Sequence, residues 1–265
     1  MNTILDEIVA VKKKEVEYKK SFADLDWYRF FSTDFDRECF SLKQSLLKEN
    51  STGIIAEFKR RSPSRGWFKA DDYSAPAIVM CYEEYGAAGA SVLTDAEFFG
   101  GDLPDITVCR VVTELPILRK DFIIDEIQAL EAKAYGADVI LLIAAILSPA
   151  RVEALAIEAK KYGLEVLLEL HDESELGHIC NEVDMVGINN RNLKTFQVDI
   201  GHSIRLSKKL PAGKIKIAES GIDDVGTIRM LREEGFNGFL IGEKFMKAGH
   251  PGEAFRQFVQ QLKQS

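Results

Sequence analysis

Eight short runs of aliphatic and β-branched residues recur along most of this chain, and that recurrence limits its fold more than any other feature. They are GIIAEFK from Gly53, ASVLTD from Ala90, PILRK from Pro116, DVILLI from Asp138, EVLLEL from Glu165, MVGIN from Met185, IKIAE from Ile215 and GFLIG from Gly238. Successive runs lie about 20 to 37 residues apart, which leaves room for a strand, a crossover helix and two loops. Most are nearly continuous apolar runs rather than strict alternations, as parallel strands covered by helices require. The intervening segments read as helices. Residues 125–135 space Ile124, Ile127, Leu130 and Ala134 helically ahead of Gly136, a good C′ residue. After Ser148 as N-cap, Pro149 opens a helix with Val152, Leu155, Ala156 and Ala159 on one stripe, ending near Gly163.

Eight β/α units predict an α/β fold, a closed (β/α)8 TIM barrel, with an open doubly wound sheet as the runner-up. The barrel is expected to occupy 53–265, at about 27 residues per unit. Residues 1–52 lie outside the repeat and read as a helical extension packed on that single domain. Ile4, Leu5, Ile8 and Val9 form an apolar stripe, and a second amphipathic stretch covers about 40–47. Two placements stay open: a cap on the barrel bottom, or a flap over its mouth in which Phe22, Trp27, Tyr28, Phe30 and Phe31 exclude water. The Lys12, Lys13, Lys14 run reads as a solvated helix face.

Composition narrows the function classes. With 34 Lys and Arg against 42 Asp and Glu, the net charge is −8, which argues against a surface that tracks nucleic-acid phosphates. Cys39, Cys81, Cys109 and Cys180 stand 42, 28 and 71 residues apart, which suggests neither a zinc site nor a disulfide framework. The four histidines lie in no metal-ligand spacing, so surface or supporting roles are their default. The first 20 residues have the wrong order for a secretory signal, and the strongest apolar stretch, 139–147, is too short to span a bilayer. A cytoplasmic protein that meets neither membrane nor nucleic acid, either a monomer or a weak homo-oligomer, is the expectation.

Barrel enzymes draw their chemistry from the C-terminal ends of the strands. Here the first run ends Glu57, Phe58, Lys59, so an outward Phe58 turns Glu57 and Lys59 inward. Lys120 ends the third run, Glu169 the fifth, Asn189 the sixth and Glu219 the seventh. Two Lys, three Glu and one Asn from five strands exceed what a barrel core needs. Gly221 and Gly242, after the last two strands, sit where such barrels bind phosphate with backbone N–H groups. Glu243 is expected to offer its N–H there and turn its carboxylate away. The pocket is expected to be locally positive within an acidic exterior.

Seven segments in order, IAEFKRRSPSRG (55–66), VLTDAEFFGG (92–101), LRKDFIID (118–125), LLELH (167–171), GINNRNL (187–193), IAESGI (217–222) and FLIGEKFM (239–246), closely resemble the indole-3-glycerol phosphate synthase family. The opening ILDEIVAVKKKEVEYKK looks like that family's N-terminal helix. The resemblance implies a TIM-barrel carboxy-lyase of tryptophan biosynthesis. It would act on 1-(2-carboxyphenylamino)-1-deoxyribulose 5-phosphate, a phosphorylated small molecule, with no cofactor and no metal. By similarity, Lys120 is the general acid on the ribulose carbonyl and Glu169 the central carboxylate. Lys59 binds substrate and serves the dehydration with Glu57, while Asn189 and Glu219 orient substrate hydroxyls and the lysines. Ser220, Gly221, Leu240, Gly242, Glu243 and Arg191 are implied as contacts of the substrate, chiefly at its phosphate. Pro63, Phe99, Phe122 and Leu193 would border an aromatic slot, with Ser62 and Ser64 in the loop after the first strand. Arg65 stands where the family commonly has Lys. An isomerase of the same pathway needs one acid and one base rather than this Lys-rich cluster. A non-catalytic phosphate sensor would have lost the acids that are present.

Overall fold

A computed structural model describes residues 3–32, 34–63, 65–68, 74–191 and 197–264. All eight runs are strands: β1 (Ile54–Phe58), β2 (Gly89–Leu93), β3 (Ile117–Lys120), β4 (Val139–Ile143), β5 (Glu165–Leu170), β6 (Met185–Asn189), β7 (Ile215–Glu219) and β8 (Gly238–Ile241). Each pairs in parallel with the next, and β8 returns to β1 with Ile54 opposite Phe239, so the sheet closes. The open doubly wound alternative is excluded. Period-two alternation separates two cores. Ile55, Leu118, Leu141, Leu167, Ile217 and Leu240 fill the barrel interior. Ile54, Ala56, Phe58, Ile140, Leu142 and Leu168 face the surrounding helices.

Ahead of β1 stand α1 (Ile4–Lys20), α2 (Leu25–Phe31) and α3 (Leu42–Leu47). Then come α4 (Ala75–Glu84), α5 (Ala96–Phe99), α6 (Pro104–Val112), α7 (Glu126–Tyr135), α8 (Pro149–Lys161), α9 (Ile200–Ser207), α10 (Val225–Glu233), α11 (Glu243–Met246) and α12 (Pro251–Lys263). The helix after Ser148 is as expected, down to its buried stripe of Val152, Leu155, Ala156 and Ala159. Between β5 and β6, the most closely spaced runs, only a 3₁₀ segment, Glu173–His178, fits.

The helix at 125–135 differs in its faces. Ile124 lies before the Asp125 N-cap. Ile127, Leu130 and Ala134 pack outward on Trp27, Tyr28 and Phe35, while Ala129 and Ala132 face the barrel. The apolar stripe in the sequence therefore marks the docking site of α2. A middle layer explains why both faces are buried.

The extension uses both ends of the barrel. At the bottom, Leu42 and Leu46 of α3 sit against Gly89 and Gly238, the first residues of β2 and β8. A Cβ on Gly89 would lie 2.6 Å from Leu42 Cδ1, so glycine is what admits the plug. Glu165, at the start of β5, accepts the Lys43 N–H at 3.0 Å and the Ser41 hydroxyl. Asp138, fully buried, accepts from Arg37, Arg110 and the N–H groups of Phe40 and Ile117. At the top, Ile4, Leu5 and Ile8 of α1 line the mouth. The aromatic flap is not there. Phe22, Trp27, Tyr28, Phe30 and Phe31 form a chain of ring contacts around α2, which packs on α7 at the side of the barrel.

Lys12 also departs from expectation. It is 3% exposed, and its ammonium lies 2.7 Å from Glu15, 3.1 Å from Asp95 and 3.0 Å from Asp121. Asp121 further accepts from Thr94 at 2.6 Å and Arg119 at 2.9 Å. Arg119 in turn reaches Glu131, which also holds Lys19. A lysine on a buried helix face is tolerated when carboxylates replace its water.

Candidate active site

The C-terminal ends of the strands open into one cavity, and every described candidate from the sequence lines it. Glu57, Lys59, Lys120, Glu169, Asn189 and Glu219 form its floor. Ser62, Pro63, Phe99, Phe122 and Leu240 stand on its walls, and Arg191, Ser220, Gly221, Gly242 and Glu243 at its rim. Leu193 and Ser64 lie outside the described residues.

The floor is a network of alternating charge. Lys59 Nζ lies 2.6 Å from Glu57 Oε1. Lys120 Nζ lies 3.3 Å from Glu169 Oε2 and 3.9 Å from Glu219 Oε2. Asn189 donates to Glu169 Oε1 at 3.1 Å. Burial alone would weaken the Lys120 ammonium, but Glu169, Glu219 and Glu57 outweigh it and hold the lysine charged, above its ordinary range. Burial likewise opposes the Glu169 carboxylate, and Lys120 with His171 outweighs it, keeping Glu169 ionised. Glu219 goes the other way. Its burial and the Glu169 charge push it well above the usual carboxylate range, so this pair splits into one carboxylate and one acid. Two carboxyls with opposed protonation beside a fixed ammonium can give and take protons at neutral pH.

Local backbone explains the crowding. Gly187 of β6 lies under Glu219, and a Cβ there would overlap Glu219 Oε1. We expect Gly187→Ala to lower stability by about 1–3 kcal/mol through overpacking and to lower turnover by displacing Glu219. Denaturant midpoints and kcat check this; a variant with wild-type values would mean that Glu219 is not seated over Gly187.

The apolar wall is equally specific. Phe99 and Phe122 face each other with ring centroids 5.9 Å apart. Asp95 accepts the Phe98 N–H at 2.8 Å, and Asp121 accepts the Phe122 N–H at 2.8 Å. Lys12 bridges these two carboxylates, so α1 ties together the loops that carry both rings. The sequence reading singles out neither Asp95 nor Asp121, takes Lys12 as solvated and gives His171 only a surface or supporting role. One signal for Lys12 was present: Ile8, Lys12 and Val16, at i, i+4 and i+8, are the three buried residues of α1.

At the rim, Ser220 and Gly221 both adopt positive φ, 69° and 70°. For Ser220 that conformation is uncommon, and Asn190 holds it by donating to the Ser220 carbonyl at 2.7 Å. Gly242 precedes α11 with no side-chain cap, and a Cβ on it would lie 2.8 Å from Glu57 Cβ. The Glu243 carboxylate is occupied by Arg65 at 2.6 Å, Lys247 at 2.5 Å and Arg191 at 3.3 Å. The pocket is not the positive patch expected from the sequence. Lys59, Lys120, Arg65 and Arg191 each face a carboxylate, because charges withdrawn from water need partners.

The chain matches the family model described as indole-3-glycerol phosphate synthase over residues 5–258. It is 46% identical over 262 residues to the indole-3-glycerol phosphate synthase of Bacteroides thetaiotaomicron, covering 99% of this chain and 100% of that one. The synthase of Polaromonas sp. is 41% identical, covering 97% and 98%. Among solved structures, the tryptophan synthase α subunit of Legionella pneumophila superposes with a TM-score of 0.63 at 13% identity, covering 84% of this chain and 97% of that one. The 3-hexulose-6-phosphate synthase of Salmonella typhimurium gives 0.62 at 13% identity, covering 80% and 99%. Likeness at that identity speaks to the barrel alone. The near full-length match to the family model and to relatives above 40% identity says more: this chain belongs to the indole-3-glycerol phosphate synthase family, the ring-closing carboxy-lyases of tryptophan biosynthesis.

Proposed function

We propose that Lys120 is the general acid of the ring closure and that the floor of this cavity divides the remaining proton transfers. The observation that carries this reading is the Lys120 ammonium, set between Glu169 and Glu219 in the cavity that Phe99 and Phe122 also line. The substrate's aromatic ring enters the slot between those phenyl rings and the aliphatic residues of α1. The ring carbon that bears the carboxylate attacks the ribulose carbonyl carbon while Lys120 protonates the carbonyl oxygen. The bond to the carboxylate then breaks and carbon dioxide leaves, with Glu169 opposing the positive charge that builds on the ring. Lys59, held by Glu57, protonates the departing hydroxyl, which leaves as water. Glu57 takes the proton lost from the adjacent ring carbon, which completes the aromatic five-membered ring, and Asn189 keeps Glu169 aimed.

The phosphate is assigned to the turns at Ser220, Gly221, Gly242 and Glu243. Leu240 lies beneath, and Arg191 and Arg65 are close enough to exchange part of their contact with Glu243 for the phosphate. The same reading gives a monomer or weak homo-oligomer working in the cytoplasm. Its four cysteines stand free in the fold, as thiols in a reducing compartment do.

The direct test is to mix purified protein with the anthranilate-linked ribulose phosphate and follow indole fluorescence with chelator present. Product without added metal or cofactor is expected, and its absence would sink the assignment. The dephosphorylated substrate is expected to bind far more weakly; equal affinity would remove the phosphate assignment.

A further inference from the structure

His171 follows β5, two residues past Glu169, and nothing in the ring-closure scheme uses it. Its side chain is 12% exposed. Nε2 lies 3.2 Å from Glu169 Oε1, and Nδ1 lies 3.9 Å from Glu175 Oε2. Neither contact is a full hydrogen bond, the first by its angle and the second by its length, and neither ring nitrogen has another partner among the described residues. The ring is therefore a buried polar group whose nearest neighbours are two carboxylates, an arrangement that favours its charged form.

Every packed element contributes a charge or a polar contact to this setting. Glu169 comes from β5 itself. Glu175, which also accepts the His171 N–H, comes from the Glu173–His178 turn. Lys120 of β3 stands on the far oxygen of Glu169. His202 of α9 meets the His171 carbonyl at 2.7 Å, and Asp172 follows in the chain. Of the closest charges only Lys120 opposes an imidazolium, with Glu169 between them, while Asp6 and Lys13 of α1, Arg191 and Asp199 share the wider cavity beside the ring.

We propose that His171, as an imidazolium, is a positioning residue that pins Oε1 of Glu169 so that Oε2 stays against Lys120. The proposal rests on the reading of Glu169 and Lys120 as the reacting pair, and it adds a group that none of the roles above includes. Asn189 shares the same oxygen at 3.1 Å, so Glu169 is gripped on one oxygen by Asn189 and His171 and on the other by Lys120. Burial pulls the imidazole toward its neutral form, and the contact with Glu169 and the charges of Glu169 and Glu175 more than reverse this, raising it above the ordinary value of 6.5. The sign follows directly. The grip is complete below that value and is lost as pH rises through the raised one.

Two measurements decide it. In the first, the imidazole of His171 is titrated by NMR, with its signal assigned by its absence from His171→Asn. Titration above 6.5 is expected in the wild type, and clearly lower than that in Glu169→Gln, where Glu175 is the carboxylate that remains. Titration at or below 6.5 in the wild type, or no change in Glu169→Gln, would overturn the proposal. In the second, kcat and KM are followed against pH for the wild type, His171→Asn and His171→Leu. At about pH 6 both variants should lose about tenfold in kcat, the scale of one buried charge–charge contact, with KM within about twofold. The gap should close at high pH, where the wild-type ring is neutral. Variant profiles that run parallel to the wild type across the range would mark a merely structural residue and overturn the proposal. A wild-type protein without turnover would sink the ring-closure reading instead, whereas the titration reports on the Glu169 contact independently.

Discussion

Lys120→Met is expected to lower kcat by about 10² or more, the scale of a lost general acid, while substrate still binds. The variant keeps the aliphatic stem that packs in the floor and removes only the ammonium. Binding depends on parts of the cavity that Lys120 does not touch, the Phe99 and Phe122 slot and the rim near Ser220 and Gly242. KM or substrate affinity should therefore change far less than kcat, the pattern of an interaction made chiefly in the transition state. A second consequence follows from charge. Without Lys120, Glu169 and Glu219 are buried side by side with His171 as the nearest cation to Glu169, so the pair should take up a further proton at neutral pH. Difference titration against the wild type would detect that uptake. Unchanged turnover would remove Lys120 from the acid role.

Lys12→Met carries the largest expected change in stability, a loss of about 3–5 kcal/mol, because it leaves buried Asp95 without its cation and Asp121 with Arg119 alone. Urea unfolding checks the value. Lys12→Met combined with Asp95→Asn removes one of the stranded charges and should recover part of the loss, since the two residues touch and their effects cannot simply add. A single variant within about 0.5 kcal/mol of the wild type, the usual range for surface substitutions, would mean that Lys12 is solvated after all. The acid limb has a definite sign. Against its burial, Arg119 and Lys12 hold the Asp121 carboxyl below its ordinary value of 3.8. Its contribution is fully present above 3.8 and is lost as pH falls below it. In Lys12→Met that contribution should be smaller and its loss complete at higher pH.

Much of the fold and of the site is legible in the amino-acid sequence, for identifiable reasons. Continuous apolar runs between helical segments permit few arrangements, and all eight runs are strands of one barrel. The strand-end rule locates Glu57, Lys59, Lys120, Glu169, Asn189 and Glu219 because strand ends and side-chain alternation are local properties. Misreadings arise where a residue's environment is set by a distant segment. The stripe of Ile127, Leu130 and Ala134 is truly apolar, but its partner is α2, about a hundred residues earlier in the chain. Lys12 sits in a basic run that reads as solvated, although its place on the Ile8 and Val16 face holds the correction. His171 has no metal spacing, and its ring becomes unusual through burial between Glu169 and Glu175, which depends on how the loop after β5 folds. The missing helix after β5 is implied by the shortest interval between runs.

The seat of the N-terminal extension bears on the order in which the chain is assembled. Leu46 packs on Gly238, the first residue of the last strand, and Arg232 donates to the Ser51 and Thr52 carbonyls. During synthesis α3 leaves the ribosome long before its socket exists. At about 5–20 residues per second, the roughly 190 intervening residues take about 10–40 s to appear. The socket of α3 is thus completed only when the last strand has been made, and the bottom plug registers that the eighth strand has closed the ring.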